Sequence, residues 1–227
     1  MLWLIENVDQ IAFTELSGFV PKLSPGRRAR VLSTSHEPAK VRSVLAELLL
    51  RHALREEYGL NELPAIETGE KGKPFFPERR DIHFNLSHCK PAVACVLADT
   101  PVGVDVQEYR TFYRDKHCLS APPIYRILSE PERAWVEAGE SQADQNRRFT
   151  AVWTCKEAWG KALGAGFLYD LRSTCFIPDK ESWRQYGKSF LHQSHEAYEL
   201  TLCSESSLPI QNLSTSEFLN KRVQSFI

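Results

Sequence analysis

The chain has 227 residues, 42% of them hydrophobic and 25% charged, with a formal net charge of -1. That length suits one large domain or two of about 100 residues each, and the composition allows a packed core. Near-neutral charge without a clustered basic excess argues against a nucleic-acid partner, and no apolar run approaches the roughly 20 residues of a membrane span.

Residues 1–7 (MLWLIEN) carry no basic stretch and reach acid at Glu6, so they do not read as a signal peptide and the expected location is cytoplasmic. Residues 24–30 (SPGRRAR) and Arg42 place Arg27, Arg30 and Arg42 before and on a predicted helix. Guanidinium forks suit phosphate, while a solvated basic loop is the plainer reading. Residues 41–58 show helical spacing, with Val44, Leu45, Leu48, Leu49 and His52 on one side and Gly59 as a stop. Residues 69–77 are turn-rich and contain Gly72-Lys73-Pro74. Residues 82–86 and 92–97 read as short strands, with Ser87-His88 in a turn between them.

The turn 99–101 (DTP) is the expected boundary between two halves, 1–101 and 102–227. Residues 102–106 (VGVDV) read as a β-branched strand, and 111–123 as an exposed loop. Ser129 caps a helix reaching about Ala138, with Glu132 in capping-box position. A second helix runs over 145–163 and stops at Gly164-Ala165-Gly166. The tail alternates strand-like pieces, such as 196–203, with polar turns. Helix followed by strands, twice, with hairpins in place of βαβ crossovers, predicts an α+β fold with antiparallel sheets.

Six cysteines are scattered without a CxxC pair. His83 and His88 stand close to Cys89, but reduced structural thiols are the preferred reading over a metal cluster.

Glu157 and Lys161, four apart on a helix, project from one face. By themselves they suit an exposed ion pair. Asp105 lies inside an apolar strand run, where an acid must be paired, bind metal or reach solvent. An acid on a strand and another on a helix can both offer oxygen to Mg²⁺, which fills its remaining positions with water and substrate phosphate. Ser87-His88 offers hydroxyl and imidazole to a phosphate, or is simply structural, and Lys73 is either a phosphate contact or a solvated loop lysine.

Four patterns in this order, Gly72-Lys73-Pro74, Phe84-Asn85-Leu86-Ser87-His88, Gly103-Val104-Asp105-Val106-Gln107 and Trp153 through Lys161 (WTCKEAWGK), resemble the 4′-phosphopantetheinyl transferases of the larger, monomeric type. The resemblance spans residues 24–166. It implies a pseudo-dimer of two similar α+β halves with coenzyme A in the cleft between them, acting as a monomer on an acyl or peptidyl carrier protein. It implies Asp105 and Glu157 as magnesium ligands, Lys73, Ser87 and His88 as contacts to the CoA phosphates, and Arg27, Arg30 and Arg42 as a clamp on the 3′-phosphate. In the implied reaction a carrier serine attacks the β-phosphorus and 3′,5′-ADP leaves. Glu157, or a metal-bound water it orients, takes the serine proton and Lys161 steadies the departing α-phosphate.

One position departs from the family. Where a second acid often stands two residues after the strand aspartate, this chain has Gln107, on the same strand face by the period of two. Its amide oxygen can ligate the metal directly or through water. Two other classes remain open at this point: a non-catalytic module binding CoA or a carrier protein, and a Mg²⁺-dependent hydrolase of a nucleotide pyrophosphate.

Overall fold

The computed structural model describes residues 1–109, 124–164, 170–178 and 180–219. The predicted loop at 111–123, Cys118 and Ala165-Gly166 lie outside them. The chain divides into two compact units. The first comprises Met1–Glu67, Pro74–Thr100 and Leu208–Ile227, and the second Thr68–Lys73 and Pro101–Ser207.

The first unit opens on strand β1 (Leu2–Glu6), which the sequence reading did not assign because a short, uniformly apolar run carries no alternation. Two short helices follow, α1 (Phe13–Leu16) and α2 (Pro25–Ser33), and then the long α3 (Glu37–Tyr58). Gly59 ends α3 at φ 66°, the left-handed conformation a glycine stop supplies. The predicted apolar side of α3 is buried, but so are Ser43, Ala46, Glu47, Leu50 and Ala53. Its middle is therefore enclosed on most sides, which a one-sided pattern does not anticipate.

The chain continues through the two-residue strands β2 (Glu67–Thr68) and β3 (Pro74–Phe75) into β4 (His83–His88) and β5 (Ala92–Ala98). The sheet order is β10-β1-β5-β4, where β10 is Ile210–Leu213. The β1–β5 and β5–β4 pairs are antiparallel, while β1 and β10 are parallel, a non-local pairing that the hairpin expectation missed. All seven residues of β5 are buried, as in a strand covered on both faces. Glu57 joins α3 to β1 by accepting from Trp3 Nε1 at 2.6 Å and from the Met1 ammonium at 2.9 Å. The unit closes with the single turn α7 (Thr215–Glu217).

The second unit contains β6 (Gly103–Glu108), the short helix α4 (Ile124–Ile127), α5 (Glu130–Glu137), α6 (Gln142–Leu163), and strands β7 (Ser182–Gln185), β8 (Lys188–Ser194) and β9 (Tyr198–Ser204). The sheet is antiparallel throughout, in the order β6-β9-β8-β7. Ser141 Oγ caps α6 by accepting from Asp144 N–H at 3.1 Å, so the helix starts three residues before the predicted position.

Each unit runs strand, 22-residue helix, hairpin, with the last hairpin strand returning antiparallel beside the first strand. The mixed α+β class with antiparallel sheets is thus the observed one. No helix among the described residues is long and apolar enough to cross a membrane.

Candidate functional site

The residues of the second unit converge first. A Cβ added to Gly103 would meet the Ala158 carbonyl oxygen at 2.1 Å and the Ala162 nitrogen at 2.5 Å. Only a missing side chain lets α6 lie so close to β6. Positions 103, 105 and 107 therefore face the helix. Asp105, only 6% exposed, receives Lys161 Nζ on Oδ1 at 2.6 Å, and the same ammonium donates to the Val104 carbonyl at 3.0 Å. Glu157 is half-buried one turn before Lys161 on the same helix face, and Gln107 is half-buried two residues beyond Asp105.

Beside Asp105 and Gln107, on the same face of the sheet, polar groups run from strand to strand. Thr201 stands opposite Asp105 in the β6–β9 register, and Glu199 opposite Gln107. Thr201 Oγ1 lies 2.9 Å from Thr154 Oγ1 on α6 and 2.9 Å from His192 Nδ1. Glu199 is fully buried; its Oε2 accepts from Ser194 Oγ at 2.7 Å and lies 3.1 Å from His192 Nε2. Sequence reasoning missed this network, since an acid and a histidine in a tail without a motif gave no signal.

It also missed the role of Lys156, the residue before Glu157. Lys156 and Glu132 form an ion pair at 2.9 Å with both side chains at 0% exposure. Lys156 Nζ also donates to the carbonyls of Leu171 and Thr174, and Glu132 accepts from Phe176 N–H at 2.6 Å. The capping-box acid read from the sequence is therefore also the buried counterion that fixes α6 from behind.

Lys73 donates to the carbonyls of Val102 at 3.0 Å and Ala162 at 3.2 Å. Burial holds its ammonium down, to a pKa of about 8. Its aliphatic chain lies beside Gly164, which ends α6 at φ 64°.

In the first unit, Ser87 and His88 are the last two residues of β4, opposite Ala94 and Val93, and not in the turn, as the sequence suggested. The turn follows them, with Cys89 N–H donating to the Ala92 carbonyl at 2.9 Å. Ser87 is buried and His88 exposed. Arg27 lies on α2 with Nε 3.9 Å from Glu47 Oε2. Glu47, 1% exposed, accepts from Ser24 N–H at 2.8 Å and Ser24 Oγ at 2.6 Å, and pairs with Arg51 at 2.8 Å. This buried carboxylate anchors the start of α2. Burial lowers the Arg27 pKa; attraction to Glu47 offsets part of that, and repulsion from Arg30 adds a smaller push downward. Arg30 is exposed and Arg42 half-buried.

Among the described residues, no group of three or more His, Cys, Asp and Glu side chains forms a metal cluster. Asp105, Glu157 and Gln107 offer two carboxylates and an amide, all hard oxygen donors of the kind Mg²⁺ accepts when water and phosphate complete its shell. The Lys161 contact shows the Asp105 carboxylate already turned toward a cation. By donor chemistry, the residues fit the metal.

The sequence profile of the 4′-phosphopantetheinyl transferase superfamily matches residues 101–211, which include Asp105, Gln107, Glu157 and Lys161. The chain is 28% identical over 226 residues to the 4′-phosphopantetheinyl transferase gsp of Aneurinibacillus migulanus, covering 94% of this chain and 90% of that protein. It is 32% identical over 183 residues to the 4′-phosphopantetheinyl transferase AcpT of Escherichia coli (strain K12), covering 80% of this chain and 83% of that protein. With the 4′-phosphopantetheinyl transferase Sfp of Bacillus subtilis (strain 168) it shares 28% identity over 156 residues, 68% of this chain and 66% of that protein.

Proposed function

The chain belongs to the 4′-phosphopantetheinyl transferase superfamily, and from that premise we propose that it transfers phosphopantetheine from CoA to a carrier-protein serine, with Mg²⁺ held by Asp105, Glu157 and, directly or through water, Gln107. The observation that carries this reading is Asp105, almost buried on a strand, facing a helix that presents Glu157 and Lys161 one turn apart.

The serine hydroxyl attacks the β-phosphorus of CoA. A serine–phosphorus bond forms, the bridging phosphorus–oxygen bond breaks, and 3′,5′-ADP leaves with the bonding electrons. Glu157 accepts the serine proton. Lys161, oriented by Asp105 and the Val104 carbonyl, faces the charge that develops on the leaving α-phosphate. Bound Mg²⁺ would neutralise phosphate charge at this point. Lys73, Ser87 and His88 contact the phosphates of the donor, and Arg27, Arg30 and Arg42 take the 3′-phosphate. That residues of both units act on one CoA in a monomeric pseudo-dimer, in the cytoplasm, is part of the proposal.

The experiment is a mass measurement on apo-carrier proteins incubated with the protein, CoA and Mg²⁺. Gain of one phosphopantetheine on a serine, with release of 3′,5′-ADP, is the expected result. Release of 3′,5′-ADP without any carrier would instead establish a hydrolase, and CoA binding without turnover would establish a non-catalytic module.

A further inference from the structure

The β6–β9 ladder sets Gln107 directly opposite Glu199, and the β8–β9 ladder sets Glu199 directly opposite Ser194. Residues directly opposed across a sheet share a face, with Cβ atoms about 5 Å apart. The neighbouring row, His192, Thr201 and Asp105, lies on that face too. Thr201 touches α6 through Thr154, which turns both rows toward the helix carrying Glu157. One strand over from residue 107, then, the protein already keeps a carboxylate, fully buried and held by Ser194 and His192. A glutamate at 107 would set two like charges in direct cross-strand contact, an unfavourable arrangement.

We propose that Glu199 is the acid of this cross-strand pair: residue 107 is neutral because β9 holds the carboxylate of that face. Glu199 rather than residue 107 then supplies the third negative charge, after those of Asp105 and Glu157, for a divalent cation. The second clause rests on the metal reading above; the first does not.

A charge series at position 107 tests the first clause without disturbing Glu199. Melting temperatures without ligand should rise in the order Gln107→Glu, parent, Gln107→Lys, with steps of about 1–4 °C. The penalty of Gln107→Glu should shrink when Glu199→Gln is added. Equal melting of Gln107→Glu and parent, or a penalty unchanged by Glu199→Gln, overturns the pair.

Calorimetric titration of Mg²⁺ into the CoA-loaded protein tests the second clause. Glu199→Gln should bind Mg²⁺ severalfold more weakly, and Gln107→Glu with Glu199→Gln, which moves the carboxylate from β9 to β6, should recover most of the loss. Unchanged affinity in Glu199→Gln overturns the metal role of Glu199. Absence of Mg²⁺ binding by the parent overturns it too, together with the metal reading, while the charge series still decides which strand holds the acid.

Discussion

Lys161 Nζ lies 2.6 Å from Asp105 Oδ1, and through that contact the last turn of α6 is tied to the middle of β6. Two motif residues more than fifty positions apart are thus one electrostatic unit. Asp105→Asn keeps the shape of the side chain and removes its charge. It should abolish nearly all phosphopantetheine transfer while the protein stays folded. Asp105→Ala should lose transfer and also melt lower than Asp105→Asn, because the half-buried Lys161 ammonium then loses even the oxygen acceptor that an asparagine keeps in place. Mass spectrometry of the carrier and a thermal melt separate the two effects, and normal turnover in folded Asp105→Asn would remove Asp105 from the mechanism.

The closeness of β6 and α6 depends on Gly103. An alanine there puts its methyl carbon 2.1 Å from the Ala158 carbonyl oxygen, and backbone cannot swing aside as a flexible side chain can. Gly103→Ala should destabilise by about 1–3 kcal/mol or more, as overpacking does, and lower the melting temperature by several degrees. Activity should fall further than stability accounts for, because moving the helix moves Glu157 and Lys161 away from Asp105. A Gly103→Ala protein with parental melting temperature and turnover would show that the close approach is dispensable.

What the sequence made legible follows from how local each signal is. Gly59 and Gly164 as helix stops, Ser129 with Glu132 as a cap, and a strand around Asp105 all rest on neighbours within a few residues, and all appear in the structure. The β1–β10 pairing joins Leu2 to Ile210 and leaves no local trace. Ser87-His88, followed by Cys89-Lys90, reads as a turn from the sequence, yet pairing with β5 extends the strand through His88. Glu132 showed its capping role and hid its partnership with Lys156, which depends on tertiary packing alone. Gln107 was recognisable as a departure, but the acid facing it from β9 became visible only with the strand register.

The Glu132–Lys156 pair gives a prediction about stability that leaves the chemistry aside. Lys156→Met strands a fully buried carboxylate and should cost about 3–5 kcal/mol. Adding Glu132→Gln removes that charge and keeps an amide oxygen for Phe176 N–H. The double variant should therefore be more stable than Lys156→Met alone, even though it carries one more substitution. Urea denaturation of both decides it: a double variant no better than the single would mean that the charge is not what the lysine compensates.

Lys73 predicts a pH dependence whose sign can be worked out. Its folded pKa is depressed from 10.5 to about 8, so between those values the unfolded chain binds more protons than the folded one. Stability then rises with pH across that window, and the burial cost is fully present below pH 8. Lys73→Met has no such group. The stability difference between parent and Lys73→Met, followed by thermal melts from pH 7 to 10, should shift in favour of the parent as pH increases. A difference that stays flat would place the ammonium at its ordinary pKa.

The arginines of the first unit give the last prediction. Arg27 is partly withdrawn from solvent near Glu47, and Arg30 repels it. Two close guanidinium groups are an unfavourable pair until an anion arrives, and a doubly charged 3′-phosphate would relieve that repulsion while accepting charge-assisted hydrogen bonds. Removing one such bond costs about 1.5–3 kcal/mol, or roughly ten- to a hundred-fold in affinity. Arg27→Ala and Arg30→Ala should therefore weaken CoA by that factor and leave dephospho-CoA, which lacks the 3′-phosphate, nearly unchanged; Arg42→Ala should do the same if its half-buried guanidinium shares the clamp. Arg28, exposed on the same helix and directed to the Pro21 carbonyl, is the control: Arg28→Ala should affect neither ligand. Calorimetric titration of both ligands into the four variants gives the answer. Equal losses for CoA and dephospho-CoA would mean that these side chains only support the helix, with Glu47 as the reason they are there.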